Sequence, residues 1–364
     1  MKNPFSAYFR PALALAFSGL LLASCESKNN NVTPTPSAGP GTNVYVTNEG
    51  GYGKSTASVT LFDKTAAKVS APDIFQAANA RALGDVAQSM TIYNNFGYIV
   101  VNNSNKVEVV TLPDFKSVAT INGLVQPRYM VTAGTKGYVT EWLSATAGRV
   151  SIIDLTTNTI TGTIATGLNP EKPLNNNGIL YVPNSNGNTV TVIDPNQGKA
   201  TGTVTVADGP ASLVADKNGS VWVLCGGITK YDPVTYAVIS STPGALLHFN
   251  TGSNSVQSAL PFAAGDSPSK LRVSTTGDQL YYTLGNSEYQ VDVTATALPA
   301  KPLIQRNFSK LSAFYGFDID PKDNTLYVLD ASFSAASQLI RYRANGTAID
   351  SFSTGIGSNG AAFY

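Results

Sequence analysis

Apolar residues along this chain fall in short runs that stop abruptly at polar loop residues. The first is NVYVTNEG at 43–50. Aromatic and β-branched residues alternate in it, as a strand packed on both faces needs. The run recurs as YVTN at Tyr45, YIVVNN at Tyr98, YVTE at Tyr138, YVPN at Tyr181, VWVLCG around Trp222, YYTLGN around Tyr282 and YVLD at Tyr327. The steps between these aromatics are 53, 40, 43, 41, 60 and 45 residues. A second element follows each copy, among them SVTLFD (58–63), RVSIIDL (149–155), TVTVIDP (189–195) and ALLHFNT (245–251). These runs end in Asp, Asn, Thr or Pro, which start turns readily. A third element returns, as in TITGTIATG (159–167) and SVQSALPF (255–262). A fourth, such as PRYMVTAGTKG (127–137), PASLVADKNG (210–219) or PSKLRVSTTGD (268–278), leads through a Gly, Asn or Asp hairpin into the next aromatic copy.

A four-strand unit repeating about every 40–45 residues is the blade of a β-propeller, so the pattern predicts an all-β chain of seven four-stranded antiparallel blades. The ends agree. NGAAFY (359–364) reads as an innermost strand without its partner, and the run at 43–50 as a second strand without its predecessor. Pairing the N- and C-terminal strands would complete one blade, close the ring and remove its open edges.

YVTN followed by an xVxVID strand resembles the hallmark of YVTN-type (YncE-like) propellers, and the resemblance covers about residues 43–364. The stretch DVAQSMTIYNNFGYIVVNNSNKVEVV (85–110) resembles surface lipoproteins of Gram-negative gut and environmental bacteria. That likeness implies a cell-surface protein. Some members of the group sit on outer-membrane importers and capture cobalamin-type (corrinoid) ligands, which would make an importer the partner here.

The first 24 residues read as a lipoprotein signal peptide. Lys2 and Arg10 precede the apolar run ALALAFSGLLL (12–22), too short to span a bilayer, and LASC (22–25) resembles a lipobox that would place the lipid on Cys25. Acyl chains at about 0.8 kcal/mol per buried CH₂ would anchor the chain stably. Residues 25–42 read as a lipid-anchored flexible tether, and ESKNNNVTPTPSAGPGT (26–42) would reach roughly 55 Å if extended. The expected location is the outer membrane, lipid-anchored and surface-exposed, with the periplasmic face as the alternative. A net charge of +1 gives no electrostatic case for nucleic acid. With Cys25 lipidated only Cys225 remains, which excludes an intrachain disulfide framework and a cysteine metal cluster.

Insertions beyond the minimal repeat point to a working face. EGGYGKSTA (49–57) offers Tyr52 and Lys54, either as a binding loop or as a plain hairpin connection. PDIFQAANARALGDVAQ (72–88) accounts for the 53-residue step and carries Phe75 and Arg81. Its FQAANARAL could form a short helix, as part of a binding surface or as a plug on the ring. GGITKYDPVTYAVISS (226–241) accounts for the 60-residue step and offers Tyr231, or is a third strand with a displaced partner. Candidates on inner strands or adjoining loops are Arg128, Tyr129, Trp142, Lys270, Arg272 and Phe333, since aromatic rings and long cations suit a planar polar ligand. The repeated strand tyrosines read as blade core.

Little speaks for chemistry. His248 is the single histidine, so neither a Ser-His-Asp set nor a histidine metal cluster is suggested. DIDPKDN (318–324) departs from a calcium loop, with Lys322 at the third ligand place. The expectation is therefore a non-enzymatic binder of a small ligand on one propeller face, without catalytic residues, cofactor or metal. The alternative is a structural or adhesive cell-surface protein that binds proteins or glycans, and an enzyme is the remotest reading.

Overall fold

The computed structural model describes residues 41–307 and 312–364. The signal segment, Cys25 and nearly all of the expected tether lie outside the described residues. Seven four-stranded antiparallel sheets follow one another along the chain, each a blade. Blade 1 contains Asn43–Asn48, Ser58–Asp63 and Lys68–Ala71, and its innermost strand is Ser358–Phe363 from the other end of the chain. Blades 2 to 7 begin with inner strands Ala87–Tyr93, Pro127–Ala133, Leu174–Asn176, Pro210–Ala215, Ser269–Val273 and Ser312–Ile319. Among the described residues the one α-helix is Ile74–Asn79, so no helix there is long and apolar enough to cross a membrane.

The core lies between blades, which explains the two-sided strands. Along Asn43–Asn48, Tyr45 packs with Leu61, Ile99 and Val101 toward blade 2, while Val44 and Val46 pack with Tyr327 and Leu329 of blade 7. Side chains alternate faces along a strand, so a strand wedged between two neighbours must be apolar at nearly every position. Tyr45, Tyr98, Tyr138, Tyr181, Trp222, Tyr282 and Tyr327 are all buried, as blade core. Turns close where the sequence placed them: Asp63 Oδ1 accepts from the Thr65 and Ala66 amides, and Asp154 and Asn250 do the same in the equivalent hairpins of blades 3 and 5.

The seam joins Val44 to Phe363, Tyr45 to Ala362, Val46 to Ala361 and Thr47 to Gly360 in antiparallel register. Asn43 and Tyr364 exchange backbone bonds at 3.0 and 2.9 Å, and Thr47 Oγ1 donates to Asn359 Oδ1 at 2.6 Å. The second strands all end on the face that also carries the fourth-to-first connections. The chain therefore enters the ring at Asn43 on the opposite face.

The insertions behave differently from one another. Residues 72–88 fold back as the short helix, capped by Asp73, whose Oδ1 accepts from the Gln76 amide at 3.1 Å. Phe75 beneath it is fully buried among blade 1 and 2 residues, so this part of the insertion packs on the ring. Residues 226–241 form a separate two-stranded ribbon, Thr229–Tyr231 with Val238–Ser241, and the third strand of blade 5 is Ala245–Asn250.

Candidate functional site

Every inner strand is interrupted near its start, at the same level of the ring. In blade 1 the register passes from Thr47–Gly360 to Asn48–Ser358 and leaves Asn359 unpaired. In blade 2 it skips Gln88, in blade 3 Arg128 and Tyr129, and in blade 5 Ala211. In blade 6 it skips Lys270 and Leu271, and in blade 7 Ala313, Phe314 and Tyr315. In blade 4 the bridge Pro170–Asn184 is followed by Leu174–Tyr181, so Glu171, Lys172 and Pro173 stand out of the ladder. Each interruption gives the inner strand extra residues opposite its partner, and such bulges re-aim side chains. Here the polar bulge residues turn into the axial channel. Gln88, Arg128, Tyr129, Glu171, Lys172, Lys270 and Asn359 line a cavity of about 290 Å³, together with Trp142, Arg272 and Asp318. Gln88, Arg128, Tyr129, Lys270 and Asn359 also line a wider space of about 560 Å³ with Glu49, Tyr52, Tyr315 and Phe333. The second space opens among the second-to-third-strand loops and forms the mouth of the first.

The walls are held by charge and by rings. Arg128 donates from Nη1 to Gln88 Oε1 at 2.5 Å and from Nε to Glu171 Oε1 at 3.1 Å. Its guanidinium lies 4.3 Å from the Trp142 ring centre, and Trp142 Nε1 donates to the Pro170 carbonyl at 3.2 Å, tying blade 3 to blade 4. Arg272 Nε donates to Asp318 Oδ1 at 2.6 Å, and Asp318 Oδ2 accepts from the Ala361 amide at 2.8 Å. At the mouth, Glu49 Oε1 accepts from the Tyr315 hydroxyl at 2.9 Å and from Asn359 Nδ2 at 3.0 Å. The C-terminal strand is thus both seam and wall.

Protonation follows the enclosure. Burial raises the Asp318 carboxyl, but Arg272, Lys172 and the Ala361 amide together hold it below its ordinary value. Burial of Glu171 outweighs the pull of Arg128 and leaves that carboxyl raised. Burial pushes the Tyr129 phenol up to about 12. Lys172 is pushed down to about 8, first by the neighbouring Arg272 charge and then by burial, with Asp318 opposing. Burial, then Arg272, also lowers Lys270. Lys270 stands at φ 58°, left-handed backbone that a residue with a side chain seldom adopts.

Of the candidates named from sequence, Arg128, Tyr129, Trp142, Lys270 and Arg272 meet in the axial cavity, and Tyr52 and Phe333 stand at its mouth. The structure separates four others from it. Phe75 is core. Arg81 stacks 4.8 Å from the Phe75 ring and donates to Glu108 Oε1 at 2.5 Å on the outside of blade 2. Tyr231 projects from the ribbon. Lys54 is exposed in its loop and does not line either space. Gln88, Glu171, Lys172, Tyr315, Asp318 and Asn359 were not anticipated. One signal could have found two of them, Glu171 and Lys172. The two residues after Pro127, Pro170, Pro210 and Pro268 are Arg-Tyr, Glu-Lys, Ala-Ser and Ser-Lys, and all eight line the axial cavity.

His248 packs 4.6 Å from the Trp222 ring within blade 5, and burial lowers its pKa. Cys225 is buried, and burial pushes its thiol up to about 12. Among the described residues no group of three or more His, Cys, Asp or Glu is placed to hold a metal ion.

Comparison with solved structures returns propellers. A functionally unknown protein from Desulfotomaculum acetoxidans DSM 771 superposes with a TM-score of 0.66 at 11% identity, over 88% of this chain and 98% of its own. A quinonprotein alcohol dehydrogenase-like protein from Bacteroides thetaiotaomicron VPI-5482 gives 0.65 at 13%, over 89% and 78%. Kuenenia stuttgartiensis hydrazine synthase gives 0.60 at 15%, over 73% and 85%. At such identities the likeness concerns the fold alone. No curated protein matches the sequence. Residues 42–355, nearly the whole ring, match one family, and the chain belongs to it: DUF5074, a domain of unknown function.

Proposed function

We propose that this propeller is a non-catalytic surface lipoprotein that binds a small ligand in its axial cavity and works with an outer-membrane importer. One observation carries the reading: all seven inner strands break register at one level, and the breaks deliver amide, guanidinium, ammonium, carboxylate and phenol groups to a single enclosed space. Hydrogen-bonding groups beside a Trp–Arg stack are what a polar molecule with a flat portion needs. A corrinoid is the ligand that the resemblance to YVTN-type propellers suggests. It would seat at the wider mouth, where Tyr52 and Phe333 stand. The chain enters the ring at Asn43 on the face opposite that mouth.

Thermal unfolding with cyanocobalamin, haemin and a ferric siderophore tests this. Ligand at a hundred times its Kd stabilises the native state by about 2.7 kcal/mol. The expected result is a clear rise in Tm with at least one of the three. No rise with any of them removes the proposal's support.

A second reading, adhesion to a macromolecule, is favoured by the ribbon. Tyr231, Val234, Tyr236, Val238 and Ile239 are all exposed on it. A concentration of apolar surface on one projection marks an interaction surface. Recovery of envelope proteins or glycans by the intact protein, lost when residues 229–241 are replaced by a Gly-Ser linker, would favour adhesion over ligand capture.

A further inference from the structure

We propose that the axial cavity receives the anionic group of its ligand, a phosphate or a carboxylate, between the ammonium groups of Lys172 and Lys270. This rests on the cavity being a ligand site and adds the chemical class of what enters. Four cations line the space: Arg128, Lys172, Lys270 and Arg272. Two have counter-ions, since Arg128 pairs with Glu171 at 3.1 Å and Arg272 with Asp318 at 2.6 Å. Lys172 and Lys270 form no salt bridge and no hydrogen bond among the described residues; Asp318 favours the charge on both from farther off, Glu171 and Glu49 favour that on Lys270, and the Tyr315 ring lies 5.5 Å from Lys270. Glu49, the remaining carboxylate of the two spaces, lies at the mouth and is engaged by Tyr315 and Asn359.

Two unpaired ammonium groups near each other in an enclosed space repel, and each loses hydration. The fold nevertheless places both there by interrupting two separate inner strands, one of them through a left-handed lysine. Arg272 and Lys270 both disfavour the charge on Lys172, which the lowered value of that amine reflects. An oxyanion between the two lysines would remove the repulsion and accept charge-assisted hydrogen bonds from both. The carboxylates of Glu171 and Asp318, already claimed by arginines, would keep the anion at the lysines.

The test compares the wild type with the K172M/K270M variant by calorimetric titration and thermal unfolding. The probes are sodium phosphate, sodium citrate and, as control, sodium chloride at equal ionic strength. Phosphate, citrate or both should raise the wild-type Tm by about 2 °C or more beyond chloride. The affinity for that anion should fall at least about tenfold in the variant. A response to phosphate alone or to citrate alone assigns the group. Equal responses in wild type and variant, or no wild-type response beyond chloride, overturn the proposal. If the variant does not fold, acetic anhydride labelling of the wild type decides: the bound anion should protect Lys172 and Lys270, and unchanged labelling overturns the proposal. A cyanocobalamin arm keeps the two readings apart. A corrinoid shift without an anion effect sinks the anion subsite alone, whereas anion binding without any corrinoid, haemin or siderophore shift leaves the subsite standing and sinks those larger ligands.

Discussion

Glu288, in the third strand of blade 6, is fully buried with both carboxyl oxygens lacking a hydrogen-bond partner. Burial raises its pKa well above the ordinary glutamate value, with Arg272 opposing weakly. The native state therefore keeps a proton that the unfolded chain releases near pH 4.5. Stability is lost as pH rises from there toward the folded-state pKa, at up to about 1.4 kcal/mol per unit. Glu288→Gln carries no ionisable group, so its advantage over wild type should be small near pH 5 and grow toward pH 8. Urea unfolding at the two pH values measures it, and a gap that stays constant would contradict the assignment. Other buried carboxylates differ because they are paired. Glu141 accepts from Arg149 Nε and Nη2, both at 2.9 Å, and Glu108 from Arg81 and Lys106. Arg149→Leu should therefore destabilise, by about 3 kcal/mol, since it strands a buried charge. Chemical denaturation with an unchanged m-value would register it.

At the scale of the element, the strands could be read from the sequence and the bulges only in part. A strand buried on both faces writes itself as YVTN or VWVLC, because polar residues have nowhere to go between two blades. An interruption of register leaves a fainter mark, a proline just ahead of it in blades 3 to 6, and none in the others. Arg128, Tyr129 and Lys270 could be picked out because they are large and unusual in an inner strand. Glu171 and Lys172, in LNPEKPLNN, look like loop, and their blade has the shortest inner strand, Leu174–Asn176. Asp318 was visible only as the first carboxylate of DIDPKDN, the stretch that departs from a calcium loop. The helix at 74–79 was legible, its role less so, since burial of Phe75 is set by blades folded from distant segments. The ribbon is the element least tied to the ring, with all seven of its strand residues exposed. Replacing residues 229–241 by a Gly-Ser linker should change stability by no more than about 0.5–1 kcal/mol. A fall in Tm beyond about 4 °C would show that the ribbon supports the ring.

At the scale of the whole molecule, closure and site share one strand. Ser358–Phe363 supplies the seam register, and its Asn359, Gly360 and Ala361 line the axial cavity. Deleting residues 359–364 exposes the edge of Asn43–Asn48 and removes the Ala361 amide from Asp318 and Asn359 from Glu49. The truncated chain should unfold at least about 10 °C lower, and what ring remains should lose ligand-dependent stabilisation. Retention of full heat resistance would contradict the seam.

The same seam frees the polypeptide from its own starting point. Asn43 and Tyr364 are hydrogen-bonded neighbours, so a few glycines could join them into an endless loop. A circular permutant reopened at the exposed turn around Gly198 would rebuild blade 1 from contiguous sequence and begin its chain between the third and fourth strands of blade 4. Only the point on that same face where an upstream segment joins would be altered, because the wheel itself has no obligatory first spoke.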